Sequence, residues 1–158
     1  MIFTKDKITV KLYDSRKEMG EIAASDTAAK IQELLLVKDE INIIFAAAPS
    51  QNEFLASLVK ENRIDWSRIN AFHMDEYIGL EEDAPQRFGH FLKESIFGKV
   101  PFKQVNYING KALPSEECAR YEALLKQYPA DIVCLGIGEN GHIAFNDPHV
   151  ADFKDPQA

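Results

Sequence analysis

Residues 41–48 read Ile-Asn-Ile-Ile-Phe-Ala-Ala-Ala, a continuous apolar run. Such a run suits an interior strand of a parallel sheet, where crossover helices cover both faces and leave few polar positions. A second buried run, residues 131–135 (DIVCL), has the same character. Helical and strand patterns alternate around these two segments with no linker and no internal repeat, the signature of βαβ units. The expected fold is a single α/β domain over residues 1–158: Rossmann-like, with a mainly parallel sheet and helices on both faces.

The remaining elements follow from local pattern. Residues 8–13 (ITVKLY) alternate as a strand. Ser15 and Glu18 then read as a capping box opening a helix whose Met19, Ile22, Ala23, Ala29, Ile31, Leu34 and Leu35 point to the core. Residues 50–60 predict a helix with Phe54, Leu55, Leu58 and Val59 on one face, and residues 68–74 a third strand. A helix is predicted over 85–97 and a short strand over 105–108. Pro114 opens a further helix, with acidic residues in its first turn where the helix dipole favours them. Trp66 reads as a lone packing anchor.

Composition narrows the function. The chain is 46% apolar and 27% charged, as in an ordinary globular domain, with a net charge of −7 and no basic cluster. Nucleic-acid binding needs clustered Lys and Arg, so it is not expected. Residues 1–15 alternate polar and apolar and do not form a signal peptide, and no stretch is long enough to span a bilayer. A cytoplasmic location is the default, with no membrane partner. Cys118 and Cys134 lack metal-ligand spacing and read as inert thiols. The polar tail after Pro148 carries no helix or strand pattern, so the chain is expected to be a fragment of a longer one, truncated at its carboxyl end.

Two segments carry chemistry. The first, residues 135–148 (LGIGENGHIAFNDP), places glycines, an Asn, a His and an Asp just past the end of a buried strand. In open α/β sheets ligands occupy the crevice outside the carboxyl ends of the strands. The second, residues 70–80 (NAFHMDEYIGL), runs from an apolar strand into Asp75 and Glu76. Together they suit proton abstraction beside a carbonyl: a carboxylate base over the carbon, with an imidazole and amide donors near the developing oxyanion. Sugar isomerisation through an enediol has these requirements.

FHMDEYIGL and LGIGENGHIAFNDP resemble the two signature segments of the glucosamine-6-phosphate deaminase (isomerase) family, and the order of elements between them fits as well. The resemblance implies Asp75 as the base at C2 and His142 as the ring-opening acid/base. Asn140 and Asp147 then fall on its two polar helpers, where some relatives carry Asp and Glu. It implies no cofactor and no metal, release of ammonia, and fructose 6-phosphate as product. Amides around Gly136, Gly138 and Gly141 would line the sugar site, with Glu76 a weaker candidate, either among the substrate-binding residues or in a structural or orienting role. One departure concerns the loop that in the family is rich in Gly and Thr and cradles the phosphate. Here it carries Ala48, Ser50, Gln51 and Asn52 as substrate-binding candidates, and Glu53 where a Thr is expected. Ser50 to Glu53 itself reads as a capping box that would satisfy the free amides, and the Glu53 carboxylate would repel a phosphate.

Two rivals accompany this reading: a 6-phosphogluconolactonase-type hydrolase on the same scaffold, and a non-catalytic sugar-binding module. The partner in each case is a small-molecule sugar, with a homo-oligomer possible. Metal binding by His73, Asp75 and Glu76, or by His142, Asp147 and His149, is set aside because neither set has a known ligand spacing. His73 instead suits a core role or an orienting contact with Asp75. Arg87 and Lys93 read as solvated surface charges.

Overall fold

The computed structural model describes residues 1–152 and 154. Of the polar tail, residues 153 and 155–158 lie outside the described residues. The main sheet is four-stranded and parallel, comprising β3 (Ile41–Phe45), β4 (Ile69–His73), β5 (Gln104–Asn106) and β6 (Ile132–Cys134) in the order β5-β4-β3-β6. Register pairs Ile41 with Ile69, Phe45 with His73, and Phe45 with Cys134. The predicted α/β, Rossmann-like architecture is therefore present, and β3 is its interior strand as the apolar run requires.

The strand at residues 8–13 takes a different place. β2 (Ile8–Lys11) pairs antiparallel with β1 (Ile2–Lys5) in a separate two-stranded ribbon and does not join the parallel sheet. Asp6 makes the turn with φ +53°, a left-handed conformation that Asp tolerates better than most residues.

The pleat sorts the core. Ile41, Ile43, Phe45, Ile69 and Ala71 share one face, fully buried under α1 (Arg16–Leu35), α2 (Asn52–Leu58) and α3 (Phe88–Leu92). Phe72 points to the opposite face, where Tyr121 of α4 (Pro114–Gln127) meets it edge-on at 6.1 Å. Helices thus lie on both faces. Each fully buried Ile, Leu or Phe contributes about 1.5–3 kcal/mol relative to exposure. Trp66 is not a lone anchor: Phe102 packs against it at 5.0 Å, and Phe45 and Phe97 extend the aromatic cluster.

Ser15 caps α1 by accepting from the Glu18 amide at 3.1 Å. The buried face of α1 differs from the expected one. Gly20, Ala24, Ala28 and Ile31 are buried, whereas Met19 and Ile22 are exposed. Close approach of α2 explains the shift, since a Cβ on Gly20 would lie 2.6 Å from Glu53 Cβ. Small residues therefore face α2, and the larger apolar ones turn outward. The helix predicted over 85–97 splits into α3 and a π-helical turn, Lys93–Phe97.

Strand order decides where a ligand can sit. The chain moves from β3 outward to β4 and β5, then α4 returns it across the sheet to β6 on the other side of β3. Neighbouring loops diverge at this reversal and open a crevice beyond the carboxyl ends of the strands. The loops after β3, β4 and β6 all leave from that end.

Candidate active site

Asp75 lies two residues past β4 and is half-buried. Burial, reinforced by the neighbouring Glu76 charge, raises its carboxyl above the ordinary aspartate range. A base near neutrality benefits from such a shift. His73, fully buried at the end of β4, accepts the Ile108 amide at Nε2 (2.9 Å), so its proton resides on Nδ1. Nδ1 in turn donates to the Asp75 carbonyl at 2.9 Å. The orienting contact expected between these residues thus runs through the backbone of Asp75. Burial also lowers the pKa of His73, which favours the neutral ring.

Glu76 points the other way. Its carboxylate accepts from the amides of Tyr77 (2.9 Å), Phe88 (3.0 Å) and Gly89 (3.0 Å) and from Arg87 Nε (3.2 Å). With its side chain only 1% exposed, it anchors the start of α3, and its oxygens are committed to protein donors. Of the roles expected for Glu76, these bonds fit the structural one and leave little of the carboxylate for a substrate. Arg87, expected as a solvated charge, is buried because it is the partner of Glu76.

The glycine loop brings three of the candidates together. His142 Nδ1 lies 2.5 Å from Asn140 Oδ1 and 3.2 Å from Asp147 Oδ1, and Asn140 Nδ2 donates to the same Asp147 oxygen at 2.9 Å. Two acceptors on Nδ1 hold the proton there and leave Nε2 bare, the state required of an imidazole that accepts a proton from a ligand. Gly141 turns the loop with φ +86°, and Ala144 adopts φ +53°. An L-residue in that region costs about 1–2 kcal/mol, so surrounding contacts must hold it. Gly138 donates its amide to the His142 carbonyl at 2.9 Å, and its Cα abuts the imidazole so closely that any Cβ would overlap the ring.

Gly138→Ala is therefore expected to drive the imidazole off Asn140 and Asp147. With His142 in the acid/base role that the resemblance implies, turnover should fall about 10²-fold, the cost of misplacing a reacting group by an ångström. Stability should change by less than about 0.5 kcal/mol, because the loop is surface-exposed. Steady-state kinetics together with a urea titration of the full chain checks both expectations.

The loop after β3 departs from the expected capping box. Ala48, not Ser50, occupies the cap position of the short 3-10 turn Pro49–Gln51, and no side chain caps it. The Ser50 hydroxyl instead accepts from Gln51 Nε2 at 3.2 Å. Glu53 is gripped by Arg16, whose Nε and Nη2 reach its two oxygens at 3.0 and 2.8 Å while Nη2 also donates to the Pro49 carbonyl. Arg16 lowers the Glu53 pKa and compensates its charge, which weakens the expected repulsion of an anion. Gly136 approaches this turn, where a Cβ would sit 2.9 Å from Ser50 Oγ. Ser50 and Gln51 line a cleft of about 320 Å³ with Glu53, Cys134 and Leu135. Asn52 is exposed at the start of α2.

Aromatic contacts join the loop after β4 to the glycine loop: Phe145 lies 5.8 Å from Tyr77 and 5.7 Å from Phe88. The segment bearing Asp75 and the segment bearing His142 therefore touch through Tyr77 and Phe145. A second, larger cleft of about 920 Å³ runs beside Tyr107, His90 and the acidic residues 81–83, and neither Asp75 nor His142 lines it. Among the described residues, no group of three or more His, Cys, Asp or Glu could hold a metal, and no helix is long and apolar enough to cross a membrane. Burial pushes the Cys134 thiol up to about 12, in keeping with an inert role.

A family model described as glucosamine-6-phosphate isomerases/6-phosphogluconolactonase matches residues 14–151. The chain belongs to this family. Within the family it is similar to a glucosamine-6-phosphate deaminase of Listeria innocua, 37% identical over 130 residues that cover 82% of this chain and 56% of that protein. One from an Exiguobacterium species is 39% identical over 122 residues, covering 73% and 48%. The chain thus spans about half the length of the curated relatives it matches. A solved monomeric glucosamine-6-phosphate deaminase superposes with a TM-score of 0.78 at 29% identity, covering 90% of this chain and 60% of that one. A Plasmodium vivax 6-phosphogluconolactonase shares the fold, with a TM-score of 0.82 at 17% identity, covering 94% and 55%.

Sequence reasoning missed several residues that shape the site. Tyr121 clamps the end of β4, its hydroxyl accepting from the His73 amide (3.0 Å) and donating to the His73 carbonyl (2.7 Å). Arg16 and Arg87 neutralise Glu53 and Glu76 across long sequence separations, and no local pattern marks such pairings.

Proposed function

We propose that this chain carries the proton-transfer residues of an amino-sugar-phosphate deaminase acting on glucosamine 6-phosphate or a close analogue. The observation that carries the reading is the His142–Asn140–Asp147 network, in which Nδ1 faces both acceptors and Nε2 has no partner among the described residues, on a loop whose Phe145 packs on Tyr77 of the Asp75 loop. His142 moves the proton that opens the sugar ring, breaking the C1–O5 bond and giving the aldehyde. Asp75 then removes the proton from C2, the enol collapses with a proton delivered to C1, and an imine forms at C2. Water hydrolyses that imine, releasing ammonia and leaving fructose 6-phosphate. Asn140 and Asp147 hold the His142 tautomer, and amides around Gly136, Gly138 and Gly141 line the sugar. A cytoplasmic location and a homo-oligomer both fit this reading.

Curated relatives named glucosamine-6-phosphate deaminase, at 36–39% identity, support the deaminase over the lactonase. The test measures ammonia release from glucosamine 6-phosphate against hydrolysis of 6-phosphogluconolactone by the full chain. Ammonia release with negligible lactone hydrolysis is expected, and the reverse result overturns the proposal. Parallel assays with unphosphorylated glucosamine show whether the altered Ser50–Glu53 turn has changed the requirement for phosphate.

A further inference from the structure

We infer that His73 is a positioning residue that fixes Asp75 from behind, an inference that rests on the reading of Asp75 as the base. His73 sits at the last position of β4, fully buried, with both ring nitrogens committed to backbone. Nε2 accepts from Ile108, just beyond β5, and Nδ1 donates to the carbonyl of Asp75. One imidazole therefore ties the loop that carries Asp75 to the segment following the neighbouring strand. Tyr121 locks the same ring's backbone through the His73 amide and carbonyl, and it reaches the Asn106 carbonyl at 3.3 Å. Tyr107 closes the other side, its ring 6.0 Å from the imidazole. Among the described residues the Asp75 side chain has no hydrogen-bond partner, so its aim depends on its backbone. The brace on its carbonyl sets that backbone.

The two bonds of His73 can be separated chemically. Asn places its amide near the position of Nδ1, so His73→Asn retains a donor to the Asp75 carbonyl and gives up the bond to Ile108. Gln reaches the position of Nε2, so His73→Gln retains an acceptor for the Ile108 amide and gives up the tie to Asp75. Steady-state kinetics on the full chain should show kcat close to wild type for His73→Asn. For His73→Gln, kcat should be about 10–100-fold lower with KM little changed, as for a reacting group that is misplaced while binding is retained. Equal losses in the two variants, or a normal kcat for His73→Gln, overturn the inference.

A second readout does not need turnover. The carboxyl carbon of Asp75, followed by NMR titration, should shift towards the ordinary aspartate range in His73→Gln and stay in place in His73→Asn. An Asp75 titration unchanged in both variants overturns the inference. If Asp75→Asn retains turnover, the functional reading fails, yet the titration still decides whether His73 positions Asp75. Should Gln at position 73 prevent folding, Tyr121→Phe provides the comparison, because it releases the backbone of His73 without altering the imidazole. A lower kcat at unchanged KM supports the brace, and unchanged kinetics contradict it.

Discussion

Asp75→Asn is expected to leave the full chain folded and able to bind its sugar, while kcat falls by about 10²–10⁴-fold, the usual contribution of a positioned general base. The amide matches the carboxylate in shape and cannot take the proton from C2. Binding should change little, because the carboxylate acts on the transferring proton and KM reports mainly contacts made equally in the ground and transition states. The pH profile carries a second signature. Burial and the Glu76 charge both raise the Asp75 carboxyl, so the acidic limb of kcat/KM should lie above the ordinary aspartate range. Only the deprotonated form is a base, so activity is present above that limb and is lost as pH falls through it. Ammonia release measured across the acidic range checks the size of the loss and the position of the limb. A variant that keeps its rate would remove Asp75 from the chemistry.

Glu76→Ala should destabilise the fold by about 3–5 kcal/mol, the cost of leaving one member of a buried ion pair without its partner. The Arg87 side chain is only 11% exposed, and it would lose the carboxylate that compensates it. The amides of Phe88 and Gly89 would lose their acceptor at the same time, just where α3 begins. Glu76→Gln should fall between, since it preserves shape and one acceptor oxygen but removes the charge that draws in those donors. Urea titration of the full chain measures the difference. A change below about 0.5 kcal/mol would mean that Glu76 behaves as a surface residue. Asp75 and Glu76 are adjacent in sequence yet predicted to fail in opposite ways, one in rate and the other in stability.

That contrast shows where sequence alone reaches its limit. The apolar run at 41–48 identified the interior strand because burial on both faces leaves a one-dimensional trace. The motifs at 70–80 and 135–148 identified the catalytic candidates because they follow strands directly. Neither Asp75 nor Glu76 could be assigned a direction from its neighbours. Direction depends on the start of α3, which folds back to offer amides and Arg87 to Glu76. The buried face of α1 is hidden from the sequence for a similar reason: apolarity favours Met19 and Ile22, while the close crossing with α2 demands small residues such as Gly20, Ala24 and Ala28. The terminal hairpin turns at Asp6-Lys7, without the Asn-Gly or Asp-Gly pair that usually marks a two-residue turn, so its first strand left no clear signal. In the loop after β3, the sequence of a capping box was present but its geometry was not, because Arg16, from the start of α1, claims Glu53.

In the proposed reaction Asp75 and His142 act on one sugar. A crystal structure of the full chain with a bound amino-sugar phosphate tests this most directly. An Asp75 oxygen should lie about 3–3.5 Å from C2, with His142 Nε2 within about 2.6–3.2 Å of the ring oxygen of the same molecule. A ligand that touches only one of the two residues, with the other facing a separate surface, would contradict it.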